Sequence, residues 1–206
     1  MGKVKLKKQD IWIDMTPMSD VMVLLLCFFM LTSTFTKPEP VKVVEPQSVA
    51  EIKVPEKDVL NILVSPEGNI YIGTDNKLNM EEMVATVTDK FGVSLTSAQV
   101  KAFKEEAMVG GSVTQLPEFL SLEQDKRAEI IQKMSVPLDS IDGGKSEFQE
   151  WVAAAKEANA DIRLAIKCDG NTPYSVVKKM MSELQDMNEN RYQLITNLDT
   201  KKQAEQ

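Results

Sequence analysis

The feature that most constrains this chain is a run of eleven apolar residues, Val21 to Leu31, that begins directly after a carboxylate, Asp20. An unbroken run of this kind has no polar face, so it must be covered on every side, unlike an amphipathic surface helix. Three coverings are open. A secretory signal peptide has a basic start and a short apolar core, but here its leading region would hold three acids, and Thr32-Ser33-Thr34 is a poor small-residue cleavage site. A buried core helix of this length is possible, but the run lacks amphipathic alternation and Pro-rich sequence follows it. In the third case Thr16 caps a helix, Pro17 takes its first position, and the segment 16–35 spans a membrane. From Pro17 to Phe35 such a helix is about 28 Å long at about 1.5 Å per residue, close to a hydrocarbon core of about 30 Å.

Local charge orients that span. Lys3, Lys5, Lys7 and Lys8 precede it and Trp12 falls near its first interface, which places residues 1–15 in the cytoplasm and the remainder outside. After position 36 the chain holds 20 basic and 28 acidic residues, so a nucleic acid is a poor partner for the larger part. The inventory excludes further chemistry. With no histidine and only Cys27 and Cys168, there is no zinc ligand set and no His-dependent triad, and no cofactor or metal is implied. Cys27 lies in the apolar run and Cys168 far outside it, so the two do not pair. Cys168 reads as a small buried hydrophobe.

On position alone Asp20 has two readings. It is a first-turn acid favoured by the helix dipole at the headgroup boundary, or it is a working group. Thr16, Asp20, Cys27 and Thr34 fall at four- and seven-residue spacings, so one slightly polar stripe follows an otherwise apolar helix. Such a stripe faces protein or water, because a carboxylate turned to lipid is costly.

The run Ile13-Asp-Met-Thr-Pro-Met-Ser-Asp-Val-Met-Val-Leu-Leu-Leu-Cys-Phe-Phe-Met-Leu resembles the membrane-segment signature of the ExbD/TolR family, the single-span subunits of proton-driven motors in Gram-negative bacteria. The resemblance implies that Asp20 carries the proton, with Thr16, Cys27 and Thr34 as candidate pore-stripe residues. It also implies a homodimer inside a ring of multi-span ExbB/TolQ-like subunits, passing motion to a TonB-like transducer. The implied location is the bacterial inner membrane with the C-terminal domain in the periplasm. TonB-dependent nutrient uptake is the favoured system. A Tol-Pal-type, gliding or secretion motor and a passive anchor that grips peptidoglycan or an envelope protein are the alternatives.

Beyond the span, residues 36–57 hold four of the nine prolines without a helical or strand period and read as an extended periplasmic linker reaching up to roughly 60 Å. An α+β domain follows over residues 58–198. Val59-Leu-Asn-Ile-Leu-Val64 and Asn69-Ile-Tyr-Ile-Gly73 form a hairpin through Ser65-Pro-Glu-Gly68, and a helix opens at Asn79 with Met80, Met83, Val84 and Val87 on its core side. Residues 92–145 read as an insertion with helices over 97–108 and 122–134. Ser146 caps a helix, 162–168 alternates as a strand, Thr172-Pro173 opens another helix, 191–198 forms a last strand, and 199–206 is a frayed tail. This order predicts a small sandwich with helices on one face of a sheet. The segment Ile166-Lys-Cys-Asp-Gly-Asn-Thr-Pro-Tyr174 is similar to the strand, turn and helix start of the family's periplasmic domain. The acids Asp139, Asp142, Glu147 and Glu150 are spread as on a solvated surface, and the chain is not read as an enzyme.

Overall fold

A computed structural model describes residues 14–33, 39–48, 58–139 and 144–198. The chain divides into two compact units, Met1–Thr36 and Lys37–Gln206. The first contains helix α1, Thr16–Thr32. The second is an α+β domain around a mixed five-stranded sheet.

After the two-residue strand β1, Gln47–Ser48, the domain opens with the expected hairpin of β2, Val59–Val64, and β3, Ile70–Thr74. The Ser65–Gly68 turn closes through Gly68 N–H to Ser65 C=O (3.0 Å), and Gly68 adopts φ +90°, a conformation glycine alone accepts without strain. Helix α2, Lys77–Lys90, starts earlier than the predicted Asn79. Asn76 is the cap, with its side chain accepting from Leu78 N–H at 3.0 Å, and Asn79 is buried inside the first turn.

The segment 92–145 is not a separate appendage. It contributes α3, Ser97–Glu105, then β4, Val109–Gly110, a 3-10 turn at Val113–Gln115, α4, Leu116–Leu120, α5, Gln124–Ile130, and a second 3-10 turn at Ile131–Lys133. The two long helices predicted here are therefore shorter. Glu106 is already extended and ends α3, and at Ile131 the last turn of α5 tightens to 3-10. Strand β4 pairs antiparallel with β3, Tyr71 opposite Gly110, so the insertion closes one edge of the sheet. Phe103 of α3 stacks on Trp151 with ring centroids 6.2 Å apart, and both are fully buried. Side chains of that size contribute about 1.5–3 kcal/mol each when fully buried.

Helix α6, Glu147–Ala158, begins at Ser146 as expected, through a reciprocal capping box with Gln149. Strand β5, Arg163–Cys168, then runs parallel to β2, followed by α7, Tyr174–Asp186, which starts one residue after Pro173. The single last strand predicted over 191–198 is two. Strand β6, Tyr192–Ile195, pairs parallel with β5, and β7, Asn197–Leu198, leaves the main sheet to pair with β1. The sheet order is β4-β3-β2-β5-β6.

Both faces of the sheet centre are covered. Leu60, Ile62 and Val64 alternate with Val59 and Leu63 along β2, and all are buried. One face packs on the helices. On the other, Leu63 and Tyr71 lie beneath the insertion and the segment 39–48, and the Tyr71 hydroxyl donates to Gln132 C=O at 2.9 Å.

Close packing of the insertion predicts an outcome at Gly73. A methyl group there would sit 2.4 Å from Ala107 O and 2.8 Å from Met108 Cγ, and the first of these is backbone that cannot swing aside. Gly73→Ala is expected to destabilise the domain by about 1–3 kcal/mol, read by thermal unfolding, and to raise protease cleavage within 92–145. Wild-type melting would show that β4 does not depend on this approach.

Candidate functional site

Helix α1 exposes large apolar side chains around its whole circumference, from Val21 and Met22 through Phe28 and Phe29 to Leu31, and none of its residues is buried. Water is a poor medium for such a surface, so lipid or protein must cover it. Its length is 17 residues, about 26 Å at about 1.5 Å per residue. Among the described residues no helix is long and apolar enough to cross a membrane. Within the predicted span of 16–35 the described helix ends at Thr32. Ser33 turns extended, and Thr34 and Phe35 lie outside the described residues.

The start of α1 corrects the expected cap. Thr16 is the first helical residue and Pro17 the second, and the capping oxygen belongs to Asp14. Its Oδ1 accepts from Thr16 N–H at 3.0 Å and from the Thr16 hydroxyl at 2.5 Å. These two bonds hold the Asp14 carboxyl below the usual carboxylate range. Sequence reading missed Asp14, although an Asp two residues before a Thr-Pro start was the available signal.

No acid lies in the first turn of α1, and a helix dipole acts mainly within that turn. Asp20, the fifth helical residue, lies beyond the turn in which the dipole acts most strongly. Because α1 is unbroken, four- and seven-residue spacings put Thr16, Asp20 and Cys27 on one side of it. At the far end, the Thr32 hydroxyl donates to Phe28 C=O (2.8 Å) and the Ser33 hydroxyl to Met30 C=O (3.1 Å), which leaves these polar groups satisfied without water.

In the second unit, residues 39–48 of the expected linker are strapped to the domain. The Pro-rich composition concealed this, because the segment's bonds are made to distant residues. Val44 N–H donates to Asp169 Oδ2 at 2.7 Å, Gly170 N–H to Val44 C=O at 2.9 Å, and Asn197 N–H to Pro46 C=O at 3.0 Å. Val41 and Val43 pack against the core. Lys167 Nζ lies 3.1 Å from Glu39 Oε1 and 3.2 Å from Glu45 Oε1, so two strap carboxylates meet one sheet cation.

The Asp169 turn is what the strap grips. Asp169 is buried, and bonds from Val44 N–H, then from Asn171, hold its carboxyl below the ordinary range. Thr172 ties the same turn to the hairpin by donating to Ser65 C=O at 3.0 Å. Burial pushes the neighbouring Cys168 thiol up to about 11, so it stays protonated and unreactive. The scattered acids are structural where described. Glu147 accepts from Ser112 Oγ (2.6 Å) and Val113 N–H (2.9 Å), Glu150 lies 3.0 Å from Lys90, and Asp139 pairs with Lys179. Asp142 is outside the described residues.

The chain thus combines a short apolar helix carrying one acid beyond its first turn with an α+β domain to which residues 39–48 are strapped. A comparison with protein families matches residues 7–199 to the family described as Biopolymer transport protein ExbD/TolR. The chain belongs to the ExbD/TolR family. Searches of curated proteins and of solved structures found no match.

The strap carries a pH dependence. Because the Asp169 carboxyl is depressed in the folded state, its contribution is complete above the unfolded value of about 3.9 and is lost as pH falls through the folded value. Amide protection at Val44 and Gly170, taken relative to the intrinsic exchange rate at each pH, is therefore expected to fall at acid pH, and in Asp169→Asn at all pH values. Unchanged exchange in that variant would show that the strap is held by packing alone.

Proposed function

We propose that the chain is the proton-carrying, force-transducing subunit of an inner-membrane motor driven by the proton gradient. The observation that carries this reading is Asp20. It is a carboxylate beyond the first turn of a helix whose large side chains are apolar and exposed around its circumference. In this reading residues 16–35 cross the membrane once, with the N-terminus cytoplasmic and the domain of residues 58–198 in the periplasm.

Asp20 would be neutral where the surroundings exclude water and ionised where a path to water opens, since a low dielectric disfavours the charged form. The driving force suits a mechanical step. Moving one charge yields about 2.3 kcal/mol per 100 mV, and each unit of pH difference adds about 1.4 kcal/mol. One helix encloses no proton path, so Thr16, Cys27 and Thr34 would face partner helices. These are a second copy of this chain and multi-span ExbB/TolQ-like subunits. A TonB-like transducer in nutrient uptake is the favoured recipient of the motion.

Replacing Asp20 by Asn keeps size and polarity but removes the titratable proton. Asp20→Asn is expected to reduce proton-dependent transport to background in cells lacking the native copy, while Asp20→Glu retains part of it. Transport at the normal level in Asp20→Asn, with the protein present in normal amount, would sink the motor reading and favour a passive anchor.

A further inference from the structure

We propose that the Thr16 hydroxyl and the Asp14 carboxylate form an exit relay, through which a proton held on Asp20 leaves for the cytoplasmic side. The proposal rests on the motor reading of Asp20 and adds to it the route of release.

The start of α1 is a short hydrogen-bonded network. Asp14 Oδ1 accepts from Thr16 N–H at 3.0 Å and from the Thr16 hydroxyl at 2.5 Å. Thr16 lies four residues before Asp20 on an unbroken helix, a spacing that sets the two side chains on one side of adjacent turns, with Cβ atoms about 5–6 Å apart. One water bridges a gap of that size. A hydroxyl has one proton to give and lone pairs with which to accept. The Thr16 proton is committed to Asp14, so its oxygen offers acceptor capacity toward Asp20. A neutral Asp20 has one O–H to donate. The direction of the relay follows, with the donor at Asp20, the carrier at Thr16 and the acceptor at Asp14.

Asp14 suits the last position. It is exposed, and the bond from the Thr16 hydroxyl, then that from Thr16 N–H, hold its carboxyl below the usual carboxylate range. It is therefore ionised at neutral pH, ready to accept a proton and quick to lose it to water. The other ionisable groups in residues 14–33 are Asp20 and Cys27, and Cys27 lies seven residues beyond Asp20, away from this end. Satisfying the helix start needs only a side-chain oxygen, which Asn supplies equally well. A carboxylate also suits the helix dipole, but what it alone adds is a group that takes up a proton.

In each release the Asp20 O–H breaks as an O–H forms on Thr16, while the original Thr16 O–H breaks and its proton passes to Asp14 Oδ1. Asp14 then gives that proton to water, and the new Thr16 proton turns back toward Asp14. One proton has moved from Asp20 to water, and Thr16 and Asp14 are restored.

The test is proton-dependent transport in cells lacking the native copy, measured in ordinary and in heavy water at matched protein amount. Asp14→Asn keeps the oxygen that Thr16 N–H needs but cannot take a proton, and Thr16→Val removes the carrier. Each is expected to slow transport at least about tenfold and to raise the ratio of the rate in ordinary water to that in heavy water, because proton transfer then limits the cycle. Asp14→Glu and Thr16→Ser are expected to recover part of the rate. Normal transport in Asp14→Asn, or slow transport with an unchanged isotope ratio, would reduce the network to a helix start and overturn the proposal. Asp20→Asn in the same assay separates the two readings. Background transport there beside normal transport in Asp14→Asn sinks the relay alone, whereas normal transport in Asp20→Asn sinks the relay and the motor together.

Discussion

The parallel pairing of β2 with β5 is the interaction on which the rest of the domain depends. It runs through six residues in register, Val59 opposite Arg163 to Val64 opposite Cys168, and it joins chain segments that flank the entire insertion. A slip of one residue would turn every side chain to the opposite face. Leu164 and Ile166 would leave the core, Lys167 would leave the strap, and the Asp169 turn would no longer meet Val44. The register is fixed by burial on both faces of β2, where any shift would move an apolar residue off its neighbours.

Covering the second face distinguishes this domain from a sheet with helices on one side only. The insertion supplies β4 at one edge and Tyr71's partner Gln132, and the strap continues across toward β7. Glu39 and Pro40 lie beside Met108 and Ile131 around a hollow of about 180 Å³, so strap and insertion meet. Ten residues that look like linker are thus part of the folded unit, and the covalent path from α1 into the domain runs through them.

The legible parts of the sequence were those whose signals are local. The hairpin was visible in apolar runs around Ser65-Pro-Glu-Gly68, α6 in Ser146 and its periodic core face, and α1 in its eleven apolar residues. The strap was not legible, because Val44 is bound by Asp169, a residue far along the chain, and its prolines imitate a free linker. The division of 191–198 into two strands also escaped reading, since Asn197 is claimed by Pro46 and not by a neighbour in sequence. At the candidate site the stripe of Thr16, Asp20 and Cys27 followed from spacing, whereas the hydrogen bonds of Asp14 to Thr16 depend on how the chain enters the helix and showed only in the fold.

The two units treat their polar groups differently. In the domain several charges are answered within the fold: Glu147 by Ser112 and Val113, Arg127 by Glu106, Lys167 by two glutamates. In α1 Asp20 is a carboxylate on a helix whose other large side chains are apolar and exposed. A carboxylate on such a helix is costly when turned to lipid, so it is characteristic of a site completed by another molecule or by water. The apolar circumference of α1 makes the same demand in hydrophobic form, because it calls for a covering of lipid or protein that α1 does not itself supply.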